Sequence, residues 1–193
     1  MAVSADILRR VLEIRGGDRF AERIRVRKLC EDAAIAIIER AFVARSRLWR
    51  DEIELVMRLL DQDVGGSGRF GELFSEPNIR SVRGNPLDLL NELFIEIYWR
   101  ENLDAADSLI QRLRGVNEGL VSCLLYLKDR DRYNVMVGAT VEGIRRVFGV
   151  NVAGRTFREK YERFNELANK FKRLCGLAPQ AVDFILWALA QSG

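Results

Sequence analysis

Apolar residues recur every three to five positions through most of the chain, a spacing typical of helices that bury one face. In the first third, Ser4 can cap a short helix that the pair Gly16-Gly17 ends. Two further helices are predicted over about residues 20–42 and 48–60. Patterns typical of β-hairpins are scarce. The pattern therefore predicts an all-α fold.

The stretch from residue 63 to residue 84 interrupts this periodicity. It contains four glycines within residues 65–71, and Pro77 follows them, which favours a loop or linker between two helical lobes. Residues 66–71 also match the dinucleotide-binding pattern G-x-G-x-x-G. That pattern binds phosphate when a strand precedes it and a helix follows it. Because no strand is predicted on either side, we interpret the stretch as a flexible loop.

Beyond this linker the helix ends are marked more clearly. Asn85-Pro86 is typical of a helix start, with Asn as the cap and Pro at the first helical position, and Asn102 can cap the next helix. Helices are predicted over about residues 118–127 and 139–148. A capping box formed by Thr156 and Glu159 opens a long helix that ends at Gly176, before a last helix. About eight to ten helices are predicted in all.

The composition excludes several classes of catalytic and metal-binding site. The chain has no His, which excludes Ser-His-Asp and Cys-His catalysis and His-ligated zinc. Its three cysteines, Cys30, Cys123 and Cys175, lie far apart among apolar neighbours, so we interpret them as buried free thiols. We expect no metal and no cofactor. No apolar run approaches the roughly 20 residues of a membrane span, and no secretion leader is recognised, so we expect a cytoplasmic protein without a membrane partner.

Charge adds one further indication. The net charge is only +3, which by itself does not indicate a polyanionic partner. Of the 31 basic residues only five are Lys, and the guanidinium group of Arg suits bidentate contacts with phosphate.

The sequence of one segment indicates how the chain could bind phosphate. Residues 113–125 read L-R-G-V-N-E-G-L-V-S-C-L-L. Gly115 permits a sharp turn between two helices, and Val116 can insert between them. The free backbone N–H groups of such a turn, with the positive end of the second helix, can bind an anion without a side-chain charge. The segment resembles the helix–hairpin–helix motif, L-x-G-V-G-x-x-x-A-x-x-L-L. Asn117 stands where a second Gly is usual, and Glu118 places a negative charge in the first helical turn.

A second segment extends the resemblance. Residues 137–149 read V-G-A-T-V-E-G-I-R-R-V-F-G, similar to V-D-x-H-V-x-R-x-x-x-R-L-G of the helix–hairpin–helix DNA glycosylase superfamily. In that superfamily the Asp assists loss of a damaged base, and bifunctional members carry a nucleophilic Lys. Here Gly138 takes the Asp position, Gly119 the Lys position and Thr140 the His position, and no Gly can transfer a proton or form a Schiff base. The resemblance therefore implies the scaffold without the enzyme.

Residues 161–167 and 182–187, which read Y-E-R-F-N-E-L and V-D-F-I-L-W, are similar to helical N-terminal regions of McrB-like restriction ATPases. Those regions sense DNA for a motor domain. This second similarity implies a role in restriction as an alternative to repair.

Together these features predict a first lobe over residues 1–62, a linker over 63–84 and a helix–hairpin–helix lobe over 85–193. The leading hypothesis is a DNA-binding protein without catalysis that holds the duplex backbone, with a protein partner as a potential source of enzymatic activity. The predicted contact residues are Arg114, Gly115, Val116, Asn117, Gly119, Lys128, Arg145 and Arg146. Two alternatives stay open: a divergent glycosylase that uses Asp129 or Asp131, and a helical protein–protein adaptor.

Overall fold

The computed structural model describes residues 3–64 and 68–191, and within them the chain forms ten α-helices and no strand. The helices are α1 (Ala5–Arg15), α2 (Phe20–Arg45), α3 (Arg50–Leu60), α4 (Glu76–Arg83), α5 (Leu87–Leu93), α6 (Ala106–Arg112), α7 (Glu118–Lys128), α8 (Gly138–Phe148), α9 (Phe157–Cys175) and α10 (Pro179–Gln191). A π-helical segment, Phe94–Trp99, continues α5, and 3-10 turns lie at Gly71–Phe74 and Leu103–Ala105. The all-α prediction is confirmed.

Several predicted helix ends are confirmed. They are determined by capping contacts between residues that are close in the sequence. The Ser4 hydroxyl accepts the backbone N–H of Ile7 at the start of α1, and the Thr156 hydroxyl accepts that of Glu159 at the start of α9. Gly176 ends α9 in the left-handed conformation, at φ 57°. A residue without a Cβ adopts that conformation at little cost.

The predicted linker is wrong for Glu76–Arg83, which forms α4. Ile79 and Val82 are three residues apart and bury one face of this helix, while Pro77 lies in its first turn, where a missing N–H costs nothing. Positions 66 and 67 of the G-x-G-x-x-G pattern lie outside the described residues. The flexible-loop interpretation does not hold at Arg69, whose side chain is only 1% exposed.

Both predicted asparagine caps are wrong. Pro86, and not Asn85, is the cap residue of α5, and the buried Asn85 side chain binds the backbone of other segments. Asn102 precedes a 3-10 turn and makes no capping bond there, and its side-chain nitrogen donates to Glu96. Asn is a favourable cap residue, but the side chains of Asn85 and Asn102 form hydrogen bonds with other residues instead.

A single cluster of buried apolar side chains extends from Val11 to Leu189 and includes residues on both sides of the stretch 63–84. Within it α8 and α10 approach closely because Gly143 faces the backbone of Leu186, where any side chain would collide. Among the described residues, no single helix has the length and apolar composition to cross a membrane. The pair α9 and α10, bent by 100°, meets those criteria only when taken together.

Candidate nucleic-acid interface

The turn between α6 and α7, residues 113–117, has the local geometry that the sequence predicts. Gly115 lies at its apex with φ 75°, in the left-handed region that favours glycine. Val116 is 5% exposed and packs in the core. The Asn117 side chain accepts the backbone N–H of Leu120 at 3.1 Å, so Asn117 caps α7. We call this segment the α6–α7 turn.

Two asparagines hold the α6–α7 turn against α4. The Asn85 side chain accepts the backbone N–H of Arg114 at 2.8 Å and donates to the Arg114 carbonyl at 2.8 Å. Asn78 donates to the Gly115 carbonyl at 3.1 Å. A Cβ on Gly115 would lie 2.8 Å from Asn78 Oδ1 and 3.0 Å from a methyl group of Val82. Gly115 is therefore required both by its φ and by the close approach of α4.

These contacts decide which backbone amides are free to bind a ligand. The N–H of Arg114 is occupied by Asn85. Among the described residues, the N–H groups of Gly115, Val116 and Asn117 donate to no protein acceptor. The first amides of α7, at Glu118 and Gly119, have no acceptor within their own helix, as is usual for an N-terminal turn. The turn and the helix start thus present consecutive unpaired donors.

A cleft of about 1130 Å³ lies beside this helix start, and we call it the α7 cleft. Its wall includes Asn117, Glu118 and Gly119 on one side and Val137 and Gly138 on the other. Gly119 and Gly138 are the two positions that the sequence resemblance aligns with the glycosylase Lys and Asp. The structure therefore brings together two positions that lie 19 residues apart, and both present only backbone to the cleft.

The charged groups of the α7 cleft partly neutralise each other. Glu118 and Lys160 form an ion pair across it, and Glu72 also contributes to the wall. Glu118 belongs to the first turn of α7, where a carboxylate stabilises the helix and competes with an external anion. Arg114 adds an exposed guanidinium at the turn, and no ion pair to it is found among the described residues.

Three other predicted contact residues do not contribute to the wall of the α7 cleft. Lys128 is at the opposite end of α7, about 15 Å along the helix axis from Glu118, with its ammonium 4.7 Å from the ring centre of Trp99. Arg145 and Arg146 are both bound to Glu142, and these hydrogen bonds lower the pKa of Glu142 to about 2.

Asp129 and Asp131, the candidate acids of a divergent enzyme, follow α7 at the end remote from the cleft. The Asp129 carboxylate accepts the backbone N–H groups of Asp131 and Arg132, at 3.0 and 3.1 Å. This bonding is typical of an Asp turn. Neither aspartate contributes to the wall of the α7 cleft.

Sequence reasoning missed a buried ionic cluster, which comprises Arg27, Glu31, Asp63, Arg69 and Asp183. Arg69 donates to Glu31 at 2.6 Å and to both oxygens of Asp183 at 3.0 and 3.1 Å. Arg27 donates to Asp63 at 2.7 Å and to Asp183 at 3.0 Å. The cluster joins the start of α2 to α10 and to the segment before α4. Charged residues on otherwise apolar helical faces, such as Glu31, were the signal that could have found it.

The cluster perturbs its own titrating groups. Burial alone would raise the pKa of Asp183, but the charges of Arg27 and Arg69 outweigh it and hold that pKa below its ordinary value. Burial and the neighbouring Glu31 carboxylate raise the pKa of the Tyr126 hydroxyl, which donates to Glu31 at 3.0 Å. Asp183 is thus ionised and paired at neutral pH, and Tyr126 is a neutral hydrogen-bond donor.

No protein-family model matches the chain, and comparisons with curated proteins and with solved structures likewise found no match.

Proposed function

We propose that this protein binds duplex DNA through its sugar–phosphate backbone and does not itself catalyse a reaction on it. In this proposal the α6–α7 turn is a helix–hairpin–helix motif, carried by a lobe that comprises residues 85–193. The protein contributes binding, and any enzymatic step comes from a partner. Repair and restriction are the two settings that the sequence resemblances suggest.

The observation that carries the proposal is the row of unpaired amides at the α6–α7 turn. The N–H groups of Gly115, Val116 and Asn117 lack protein acceptors and immediately precede the N-terminus of α7. Consecutive amides at the positive end of a helix form a site for a phosphate oxygen. Asn78 and Asn85 hold the turn, so little conformational entropy is lost when it binds.

The α7 cleft supports a binding role more than a catalytic one. The residues that would act in a glycosylase are replaced by Gly119 and Gly138, and both contribute to this cleft. Glu72 and Glu118 remain as carboxylates in its wall, but Glu118 is paired with Lys160. A lesion-containing duplex should therefore be bound without loss of its base. Strand breakage after alkali treatment would contradict this part of the proposal.

A protein–protein adaptor is the second candidate, and one surface feature favours it. An open apolar groove is formed by Phe42, Val43, Ile95 and Trp99, and Val43 is 85% exposed. Apolar surface of this kind is typical of contacts between proteins. If the protein shows no affinity for duplex or single-stranded DNA at low salt, the adaptor becomes the better interpretation.

The test is a salt titration of binding to a labelled duplex, measured by fluorescence anisotropy. Binding to phosphates should weaken steeply between about 50 and about 200 mM salt. Arg114→Gln should weaken binding about three- to tenfold at low salt and reduce the slope of log K against log salt by about 1.

Arg173→Gln is the matched control, because it also removes one exposed positive charge. Arg173 lies in the last turn of α9, about 20 Å along the axis from Lys160 in the α7 cleft. It should leave the affinity and the slope close to wild type. Binding that does not change with salt, or an equal loss in both variants, would rule out a backbone contact at the turn.

A further inference from the structure

The open apolar groove between the end of α2 and the π-helical segment that continues α5 has a volume of about 370 Å³. We call it the α2 groove. Its wall comprises Phe42, Val43, Ser46, Ile95 and Trp99, and all of these except Ser46 are apolar. The groove therefore suits an apolar side chain of another protein better than a phosphate.

Val43 forms a ridge beside the α2 groove. It is 85% exposed, more than any other large apolar residue that the structure describes. Apolar surface of this kind is stabilised when another apolar surface covers it. A ridge and a groove that adjoin on one surface are complementary to a second copy of that surface, as a two-fold symmetric contact requires.

The backbone around the α2 groove has unusual conformations. The Arg100 N–H donates to the carbonyl of Ile95, five residues back, at 3.0 Å, which is the π-helical pattern. Among the described residues, the non-glycine residues with positive φ are Ser46, at 59°, and Glu101, at 51°. Ser46 contributes to the groove wall, and Glu101 comes two residues after Trp99. Such conformations are concentrated at functional sites, which favours a function for this groove.

Two opposite charges are placed symmetrically about the ridge. Glu39 lies four residues before Val43, and Arg47 lies four residues after it. Both are exposed, and neither forms an ion pair within the described parts of the chain. Glu39 accepts a long hydrogen bond from the Tyr98 hydroxyl, at 3.4 Å, and the guanidinium carbon of Arg47 lies 4.2 Å from the ring centre of Trp49.

The other charged groups near the groove are turned away or engaged. On α2, Arg40 lies on the opposite side of the ridge from the groove, as the rotation of about 100° per residue requires. Glu96 is paired with Arg100, and the ammonium of Lys128 is held over the ring of Trp99. The two charges at the ends of the ridge are thus the ones available to a partner.

We propose that the α2 groove is a contact between two copies of this chain, related by a two-fold axis close to Val43. The ridge of each copy covers the groove of the other, against Phe42 and Trp99. Glu39 of one copy then meets Arg47 of the other, and the two-fold axis repeats this ion pair. A parallel arrangement of the two α2 helices would instead place like charges together, so the charges select the antiparallel one.

Dimerisation does not depend on DNA binding by the α6–α7 turn. Lys128, beside the groove, is at the end of α7 opposite to that turn. A chain that does not dimerise would leave the DNA-binding proposal as it stands, and a chain that does not bind DNA would leave the dimer as it stands.

The test is analytical ultracentrifugation of the full chain at protein concentrations from about 1 to about 300 μM. A monomer–dimer equilibrium is expected, with Kd between about 1 and about 100 μM, as suits a small contact. A chain that stays monomeric over the whole range would overturn the proposal and leave the groove to a different protein.

Val43→Asp should weaken dimerisation at least about tenfold, because it places a carboxylate in the apolar contact. The exposure of Val43 makes the change compatible with the fold, which circular dichroism would check. Leu12→Asp is the matched control, because Leu12 is also exposed, at 65%, but lies on α1. The control should stay within about threefold of wild type. If Val43→Asp has no effect, or if both variants have the same effect, the contact is not at this groove.

A charge exchange tests the orientation of the two copies. Glu39→Arg and Arg47→Glu should each weaken dimerisation about three- to tenfold, because each change places like charges opposite each other. An equimolar mixture of the two variants should associate about tenfold more tightly than either variant alone, because each copy supplies the charges that the other lacks. If the mixture associates no better than the separate variants, Glu39 and Arg47 do not meet and the two-fold arrangement is wrong.

Discussion

The α6–α7 turn and the buried ionic cluster both contain polar groups next to the apolar core. These groups lack hydrogen-bond partners at the turn, whereas in the cluster they are paired with one another. At the turn, Gly115 and Asn117 leave backbone N–H groups unpaired, and Asn117 contributes to the wall of an open cleft. In the cluster, the side chains of Arg69 and Asp183 are 1% and 7% exposed, and almost every polar atom has a partner. Unpaired donors at a surface can bind a ligand, whereas paired charges in the interior hold elements together.

This difference predicts where substitutions act. Changes at the turn should alter binding more than stability, provided that the residues which hold the turn are kept. Changes in the cluster should alter stability, because removal of one member leaves an unpaired charge in the interior.

The largest expected effect is that of Arg69→Met. The side chain keeps its bulk but loses its charge, which leaves Glu31 and Asp183 buried with fewer partners. Breaking a buried ion pair in this way typically costs about 3–5 kcal/mol. Urea unfolding followed by circular dichroism would measure the loss in free energy of unfolding.

Arg163→Met is the control for that measurement. Arg163 is exposed on α9, so its replacement should change the free energy of unfolding by less than about 0.5 kcal/mol. If Arg69→Met were equally mild, the cluster would not be what fixes the segment before α4 to α10.

A smaller effect is expected for Asn85→Ala. This change removes the partner of both the N–H and the carbonyl of Arg114, in a side chain that is buried. Leaving hydrogen-bonding groups unsatisfied at this partly buried contact costs about 1–3 kcal/mol. Asn151→Ala, which removes the same amide from an exposed position, should be close to neutral. A loss confined to DNA affinity, with unchanged urea unfolding, would show that Asn85 does not support the fold.

The two regions also differ in how far the sequence predicts them. The geometry of the α6–α7 turn follows from neighbouring residues, because the left-handed Gly115, the buried Val116 and the Asn117 cap are all local. The same locality explains why the helix ends at Ser4 and Gly176 were predicted correctly.

The ionic cluster could not be predicted in the same way. Arg69 and Asp183 are 114 residues apart, and nothing near Arg69 in the sequence indicates burial, because glycines surround it. The same glycines favoured a loop where α4 forms, because the apolar face of this helix consists of little more than Ile79 and Val82. Asn85 was misread for a related reason: its partner Arg114 is 29 residues away.

The smallest predicted effect is a gain of affinity. Glu118 lies in the first turn of α7 beside the unpaired amides, and its carboxylate opposes a bound phosphate while holding the ammonium of Lys160. Glu118→Gln removes the repulsion and frees Lys160. Duplex affinity at low salt should therefore rise about three- to tenfold, and the salt slope should steepen by about 1.

Glu166→Gln separates this local effect from the change in net charge. Glu166 is exposed on α9, and both variants raise the net charge from +3 by the same unit. If only Glu118→Gln binds more tightly, the phosphate lies close to the start of α7, because a carboxylate acts strongly only within about one Debye length, near 10 Å at 0.1 M salt. If both variants gain equally, the affinity reflects overall charge, and the row of free amides at Gly115 to Asn117 is not the contact.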